Sequence, residues 1–185
     1  MTFVVIAAAV VLALIGIISM RPSEFRTTRS IAISSSAQTV FEQVNDFHNW
    51  LAWFPWEKSD PATKRTYEGP SSGTGAVYSY AGSRMVGEGR MTILESRACD
   101  LITVKFEFLK PMACTNVSEF TFKSEGGKPE GGQPESGKTV VTWSMTGSRN
   151  FIMKASGLVM DLDKMVGDDF EKGLATMKSI AEKHP

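Results

Sequence analysis

The sequence predicts an α+β fold: an antiparallel sheet of six to seven strands against a long C-terminal helix, behind an apolar N-terminal segment long enough to span a membrane. Three observations predict it. Between about Lys64 and Arg149 apolar and polar side chains alternate along one strand after another, as a sheet with one covered face requires. Leu158, Leu162, Met165, Val166, Phe170, Leu174, Met177 and Ile180 then recur at spacings of three and four, the stripe of one helix face. No charged side chain occurs from Met1 to Met20. A chain of 185 residues is one domain, or one domain plus a tail.

The N-terminal segment reads as an uncleaved membrane anchor over residues 1–21. As a helix, Phe3 to Met20 spans roughly 27 Å, close to the hydrocarbon thickness of a bilayer. The rival reading, a secretory signal peptide, normally has a basic start and a small-residue cleavage site. Here the start carries no Lys or Arg, and the segment ends Ile17-Ile18-Ser19-Met20-Arg21-Pro22. Arg21, Arg26 and Arg29 follow it, so the positive-inside rule makes the chain single-pass with the domain of residues 22–185 in the cytoplasm.

Within that domain Phe25, Thr27, Arg29, Ile31 and Ile33 share one side of a first strand. Ser34-Ser35-Ser36 caps a helix carrying Val40, Phe41, Val44 and Phe47. Asp46 caps a second short helix with Trp50, Leu51 and Phe54, ended by Pro55. A short strand at residues 63–68 closes at Gly69-Pro70-Ser71-Ser72-Gly73, a turn signal. Next come strands carrying Tyr78 and Tyr80, then Met91 and Ile93, then Ile102, Val104, Phe106 and Phe108 on one face each. After a turn at Lys110-Pro111, Phe120 and Phe122 align, and in the last strand Val141, Trp143 and Met145 face one way. Ser124 to Lys138 holds no apolar residue and reads as a solvated loop, a tolerated insertion rather than a lid. The C-terminal helix is acidic first (Asp161, Asp163) and basic last (Lys178, Lys183), a charge order opposite to the helix dipole.

Several chemistries are thinly supplied. Lys plus Arg equals Asp plus Glu at 20 each, which argues against nucleic-acid binding by bulk electrostatics. With two cysteines and two histidines, no metal site and no cofactor are expected. Gly73-Thr74-Gly75 and Gly87-Glu88-Gly89 lack the spacing of phosphate loops. A hairpin near Pro111 sets Cys114 opposite about residue 108, far from Cys99, against a disulfide. His48 reads as a surface or helix-end residue, and the sequon at Asn116-Val117-Ser118 falls inside a strand. No catalytic residue is assigned.

Aromatic and Met density on inward faces is what stands out. Trp53 and Trp56 after the first strand, Tyr67, Tyr78, Tyr80, Met91, Phe106, Phe108, Phe120, Trp143 and Met145 on strands, and Met165 and Phe170 on the last helix either line a pocket for an apolar ligand or fill a core. Asn116 and Ser118 share the face of Phe120, and polar groups in an apolar wall favour a ligand site over dry packing.

The run SSSAQTVFEQVNDFHNWLAWFPW, with its Trp50-x-x-Trp53-x-Pro55-Trp56 segment, resembles the START-like (SRPBCC, Bet v 1-like) superfamily, closest to its polyketide cyclase/dehydrase and lipid-transport group. So do Tyr67-Glu68-Gly69, Gly73-Thr74-Gly75-Ala76-Val77-Tyr78-Ser79-Tyr80, Gly87-Glu88-Gly89-Arg90-Met91-Thr92-Ile93 and the closing Asp169-Phe170-Glu171-Lys172-Gly173-Leu174-Ala175. The resemblance spans about residues 24–183. It implies a helix-grip fold, a curved sheet around the long helix with two short helices closing one end. It also implies a cavity for lipids or other apolar molecules.

The function expected is a membrane-tethered binder or carrier of a hydrophobic small molecule or lipid, contacting the membrane through residues 2–20. One alternative is a protein-interaction module with an exposed apolar patch around Trp50 to Trp56. Another is a cyclase-type enzyme, for which Tyr78, Tyr80, Glu88 and Glu107 are the candidate acid/base residues. Were the mouth a ligand gate, Gly73 to Gly75 and Ser83 to Gly87 would be its mobile loops.

Overall fold

The computed structural model describes residues 1–183 except 58–59, 85, 126–136 and 159. Most of the Ser124–Lys138 connection, and His184, therefore lie outside the described residues. Helix α1 (Thr2–Met20) is 19 residues long and apolar enough to cross a membrane by length and composition. Strand β1 (Glu24–Ile33) follows after three residues, then α2 (Ala37–Asn45), and a 3₁₀ turn (Phe47–Asn49) running into α3 (Trp50–Trp53). Strands β2 (Lys64–Glu68), β3 (Val77–Ala81), β4 (Glu88–Arg97), β5 (Leu101–Lys110), β6 (Cys114–Glu125) and β7 (Lys138–Ser148) come next. The chain ends in α4 (Phe151–Ser156) and α5 (Leu162–Ala181). All seven strands form one antiparallel sheet in the order β1-β7-β6-β5-β4-β3-β2. This is the expected α+β helix-grip arrangement.

The short helices start where their caps demand. Ser36 Oγ accepts from Thr39 N at 3.1 Å and opens α2. Asp46 Oδ1 accepts from His48 N at 2.8 Å and opens the 3₁₀ turn. Each removes one of the amide donors a helix start leaves unpaired. Two details differ from the sequence expectation. Helix α4 was not foreseen, although Asn150 Oδ1 caps it by accepting from Met153 N at 2.9 Å. The long helix begins only at Leu162, capped by Asp161, so Leu158 lies in the turn before it and outside its stripe. Leu158 lies four positions before Leu162, so it keeps the helical spacing by coincidence although five residues separate α4 from α5.

Pairing register arranges the inward side chains in rows across the sheet. One row runs Phe25, Gly147, Asn116, Phe106, Met91, Tyr78, Tyr67. The next is Thr27, Met145, Ser118, Val104, Ile93, and the third is Arg29, Trp143, Phe120, Ile102. At the third row the Trp143 ring stacks on Phe170 of α5, with centroids 3.8 Å apart and planes 8° from parallel. Gly173 of α5 permits this approach, since a Cβ there would stand 3.2 Å from Trp143 and 3.0 Å from Pro55. Along the edge strand β1 a polar seam holds α5. Thr27 Oγ1 donates to Asp163, Arg29 Nε to Glu171, Lys178 Nζ to the Ala32 carbonyl, and Ser34 N to Glu182. The helix thereby covers an edge that would otherwise present unpaired groups to a second chain.

Truncating the ring at the centre of this contact should be costly. Phe170→Ala is expected to lose about 3–5 kcal/mol in denaturant unfolding, as buried aromatic truncations do. Met165→Ala, at a side chain 48% exposed, should stay within about 0.5 kcal/mol.

Candidate ligand site

The structure brings most of the sequence candidates onto one inward surface and separates one. Trp53, Tyr78, Met91, Phe106, Asn116, Phe120, Trp143, Met145 and Phe170 are buried, and Trp56, Tyr67, Tyr80 and Phe108 pack partly buried at their margin. Met165 does not join them. It projects from the outer side of α5, because Val166 and Phe170 take the face turned to the sheet.

At its centre this surface is filled. Trp53, Phe54 and Trp56 pack with their rings against Trp143, and Trp56 also touches Phe170. Each of the four tryptophans has a partner for its indole N–H: Trp50 donates to the Val44 carbonyl, Trp53 to the Gln43 carbonyl, Trp56 to Asp169 and Trp143 to Ser118 Oγ. Buried indoles normally meet this requirement, and here it fixes the rings as packing elements. The tryptophan segment is accordingly not an exposed patch, since Trp50 and Trp53 are fully buried under α5 and the sheet.

Two polar features of the inward wall differ in kind; Tyr67 Oη, at the far end of the row that holds Asn116, and Ser35 Oγ, just after β1, are also buried without a partner. The first is closed. Tyr78 Oη donates to Glu57 Oε1 at 2.5 Å, and Arg65 Nε donates to Glu57 Oε2 at 2.8 Å. Burial first, and this hydrogen bond second, raise the Tyr78 pKa above its usual value. The carboxylate, phenol and guanidinium satisfy one another and tie the segment after Trp56 to the β2–β3 hairpin. Neither Glu57 nor Arg65 was a sequence candidate. The available signal was that Arg65 shares the inward face with Tyr67, and a cation facing inward needs an anion. The remaining acid/base candidates disperse: Glu88 pairs with Lys110 and Glu107 with Lys105.

The second feature is open. Asn116 is 7% exposed, and its Oδ1 has no hydrogen-bond partner. It lies across Gly147, where a Cβ would stand only 2.0 Å from Oδ1 and 2.7 Å from the Phe25 ring. The glycine thus makes room for the amide. Ser118, the other polar group of that strand face, is by contrast taken by Trp143. Around Asn116 the register sets Phe25, Met145 and Phe106, and one row nearer the sheet end Phe108 opposite Cys114 and Gly89 opposite Tyr80. Burial pushes the Tyr80 phenol up to about 12. Cys114 opposite Phe108 is the register expected from the hairpin, and both cysteines are free.

Two surface clefts complete the picture. One of about 290 Å³ lies between Gly82–Arg84, Gly87–Glu88 and Lys110–Pro111. Another of about 160 Å³ lies between His48, Tyr67 and Gly69–Ser71, where the His48 ring stacks on Tyr67 at 4.0 Å. They occupy opposite ends of the sheet, because the loops before and after β3 do. The two loops named as a common gate therefore cannot border one mouth.

A family model described as polyketide cyclase / dehydrase and lipid transport matches residues 24–182. The chain belongs to that family. Among solved structures of the same fold is truncated norcoclaurine synthase from Thalictrum flavum, 10% identical, with a TM-score of 0.61 over 89% of this chain and 99% of that one. Another is the Aha1 dimer from Colwellia psychrerythraea, 11% identical, with a TM-score of 0.54 over 85% of this chain and 96% of that one. No curated protein matches the sequence. At such identities the likeness carries the fold. Within this polyketide cyclase / dehydrase and lipid transport member, the groups that could contact a ligand must be taken from its own geometry.

The tyrosines provide a check on that geometry. All three have raised pKa values, each mainly through burial. For such groups the contribution to stability is complete below the ordinary value of 10.0 and is lost as pH rises through the folded value, about 12 for Tyr80. Tyrosinate absorbance of the native chain is therefore expected to lag that of the unfolded chain between pH 10 and about 12, with stability falling across the same window. Ionisation near pH 10 in the native state would show that the phenols are solvated.

Proposed function

We propose that the protein is a membrane-tethered binder or carrier of a hydrophobic small molecule or lipid, held between the sheet and the first turns of α5. The observation that carries this reading is Asn116. A buried amide oxygen without a donor costs about 1–3 kcal/mol, and it is explained by a ligand that brings a hydroxyl or N–H to it. The walls around it, Phe25, Met145 and Phe108, suit the apolar remainder of such a molecule. Family membership supports the same reading. Because the third row is closed by Trp143 and Phe170, the ligand enters from the end of the sheet nearest Asn116, and the first turns of α5 yield to admit it. In this reading helix α1 is the tether, and Arg21, Arg26 and Arg29 after it support a cytoplasmic side for the domain of residues 22–185.

The filled aromatic centre favours a second reading, a protein-interaction module without a dedicated ligand. One pair of measurements separates them. In Asn116→Leu the orphaned polar group is removed at similar volume, so the apo protein should gain stability by about 1 kcal/mol. If the ligand reading holds, the same variant should bind a hydroxyl-bearing apolar probe about tenfold more weakly. Native mass spectrometry of the full chain released from detergent should show an apolar mass that Asn116→Leu no longer retains. A gain in stability with no bound mass and no saturable probe binding in either chain would favour the interaction module.

A further inference from the structure

The sheet has two ends, and the pairing register sorts every loop between them. At one end lie the start of β1, the end of β7, the Pro111–Met112 turn, the residue 82–87 loop and the segment leading into β2. This is the end nearest Asn116. It is also the end at which α1 leaves off. Only Arg21, Pro22 and Ser23 separate α1 from β1, so the sheet end lies within about 10 Å of the helix terminus along the chain.

Helix α4 is packed against that terminus. Ile18 is the buried side chain of α1 and α1 touches α4, while Arg21 Nη1 donates to the Gly157 carbonyl at 2.7 Å. Yet α4 has no buried residue of its own. Phe151 is 48% and Ile152 62% exposed, and Leu158 and Met160 in the following turn and Met112 opposite are also exposed. Met112 is held to the start of α4 by Asn150, whose Nδ2 meets its sulfur at 3.2 Å. These side chains form one apolar rim continuous with an apolar helix. Arg21, Lys64, Arg84, Lys110, Arg149 and Lys154 at this end outnumber Glu24, Asp60, Glu88 and Asp161. The cleft between Arg84 and Lys110 opens on the same side.

We propose that this rim is a membrane-docking face. Its occupant is the bilayer that α1 spans, with Phe151 and Ile152 of α4 lodged at the boundary of headgroups and acyl chains. The inference rests on the tethered reading above. Nineteen helical residues rise about 28 Å, so the end of α1 reaches that boundary and brings α4 with it. Side chains apolar at the centre and basic around them match an anionic lipid surface. In this pose the sheet end nearest Asn116 faces lipid rather than water, and an apolar ligand passes between bilayer and protein without an aqueous step.

The test uses the full chain in vesicles of phosphatidylcholine and phosphatidylglycerol. A benzoylphenylalanine photocrosslinker replaces Val10 in α1, Ile152 in α4, or Ser71 at the opposite sheet end, all at exposed positions. Lipid adducts are read by mass spectrometry. Adducts from positions 10 and 152, with none from 71, are expected. Adducts from 10 but not 152, or equally from 152 and 71, overturn the docking face and leave the anchor standing. No adduct from 10 removes the anchor, and the docking face with it.

Discussion

The stack of Trp143 on Phe170 determines where everything else in this molecule can be. Two rings 3.8 Å apart leave no space between the sheet and α5 at that level. The tryptophans of α3 and its exit then seal the sides, each with its N–H spoken for. In a fold whose name comes from a helix gripped by a sheet, this closes the interior from the third row of side chains onward. The proposed site therefore falls to the rows near Asn116, among Phe25, Met145 and Phe108. The seam along β1 then decides which part of the helix can yield, for its bonds span Asp163 to Glu182 and anchor the far end twice.

Buried polarity divides by whether it is satisfied. Glu57, Arg65 and Tyr78 form a complete set and behave as a fastener. Asn116 is incomplete and is accommodated only because position 147 has no side chain. Ser35 Oγ and Tyr67 Oη are unpaired too, but of the three only Asn116 stands between Phe25 and Phe106 in its row and beside Met145, where an apolar molecule carrying a donor would meet it. The proposed site rests on that placement of an unpaired amide rather than on the density of aromatic residues.

Much of the fold was legible in the sequence because its signals are local. Alternation located the strands, the Ser and Asp caps located the short helices, and the register around Pro111 set Cys114 opposite Phe108. The inward face was legible too, since period two assigns faces without knowing the partners. Three things were not. Helix α4 is too short for a periodic signal, and the stripe of α5 took in Leu158 from the turn before it and Met165 from its outer side, both at helical spacing. Whether Trp53, Trp143 and Phe170 line a space or fill it depends on ring orientation, which no spacing encodes. Glu57 escaped notice because it sits in an irregular segment with no period to assign it a face, although its partners Arg65 and Tyr78 lie on the next two strands.

The rim of exposed apolar side chains and Asn116 belong to one end of the sheet, and the apolar helix α1 ends there. The central claim is that ligand occupies that end alone. Methyl NMR of the methionines in the full chain, held in lipid nanodiscs and titrated with a hydroxyl-bearing apolar ligand, tests it most directly. Met145, one row from Asn116, should shift, while Met177, buried on the second half of α5, should not. Equal shifts at both methyls, or a shift at Met177 alone, would place the ligand beyond the Trp143–Phe170 stack and contradict the account.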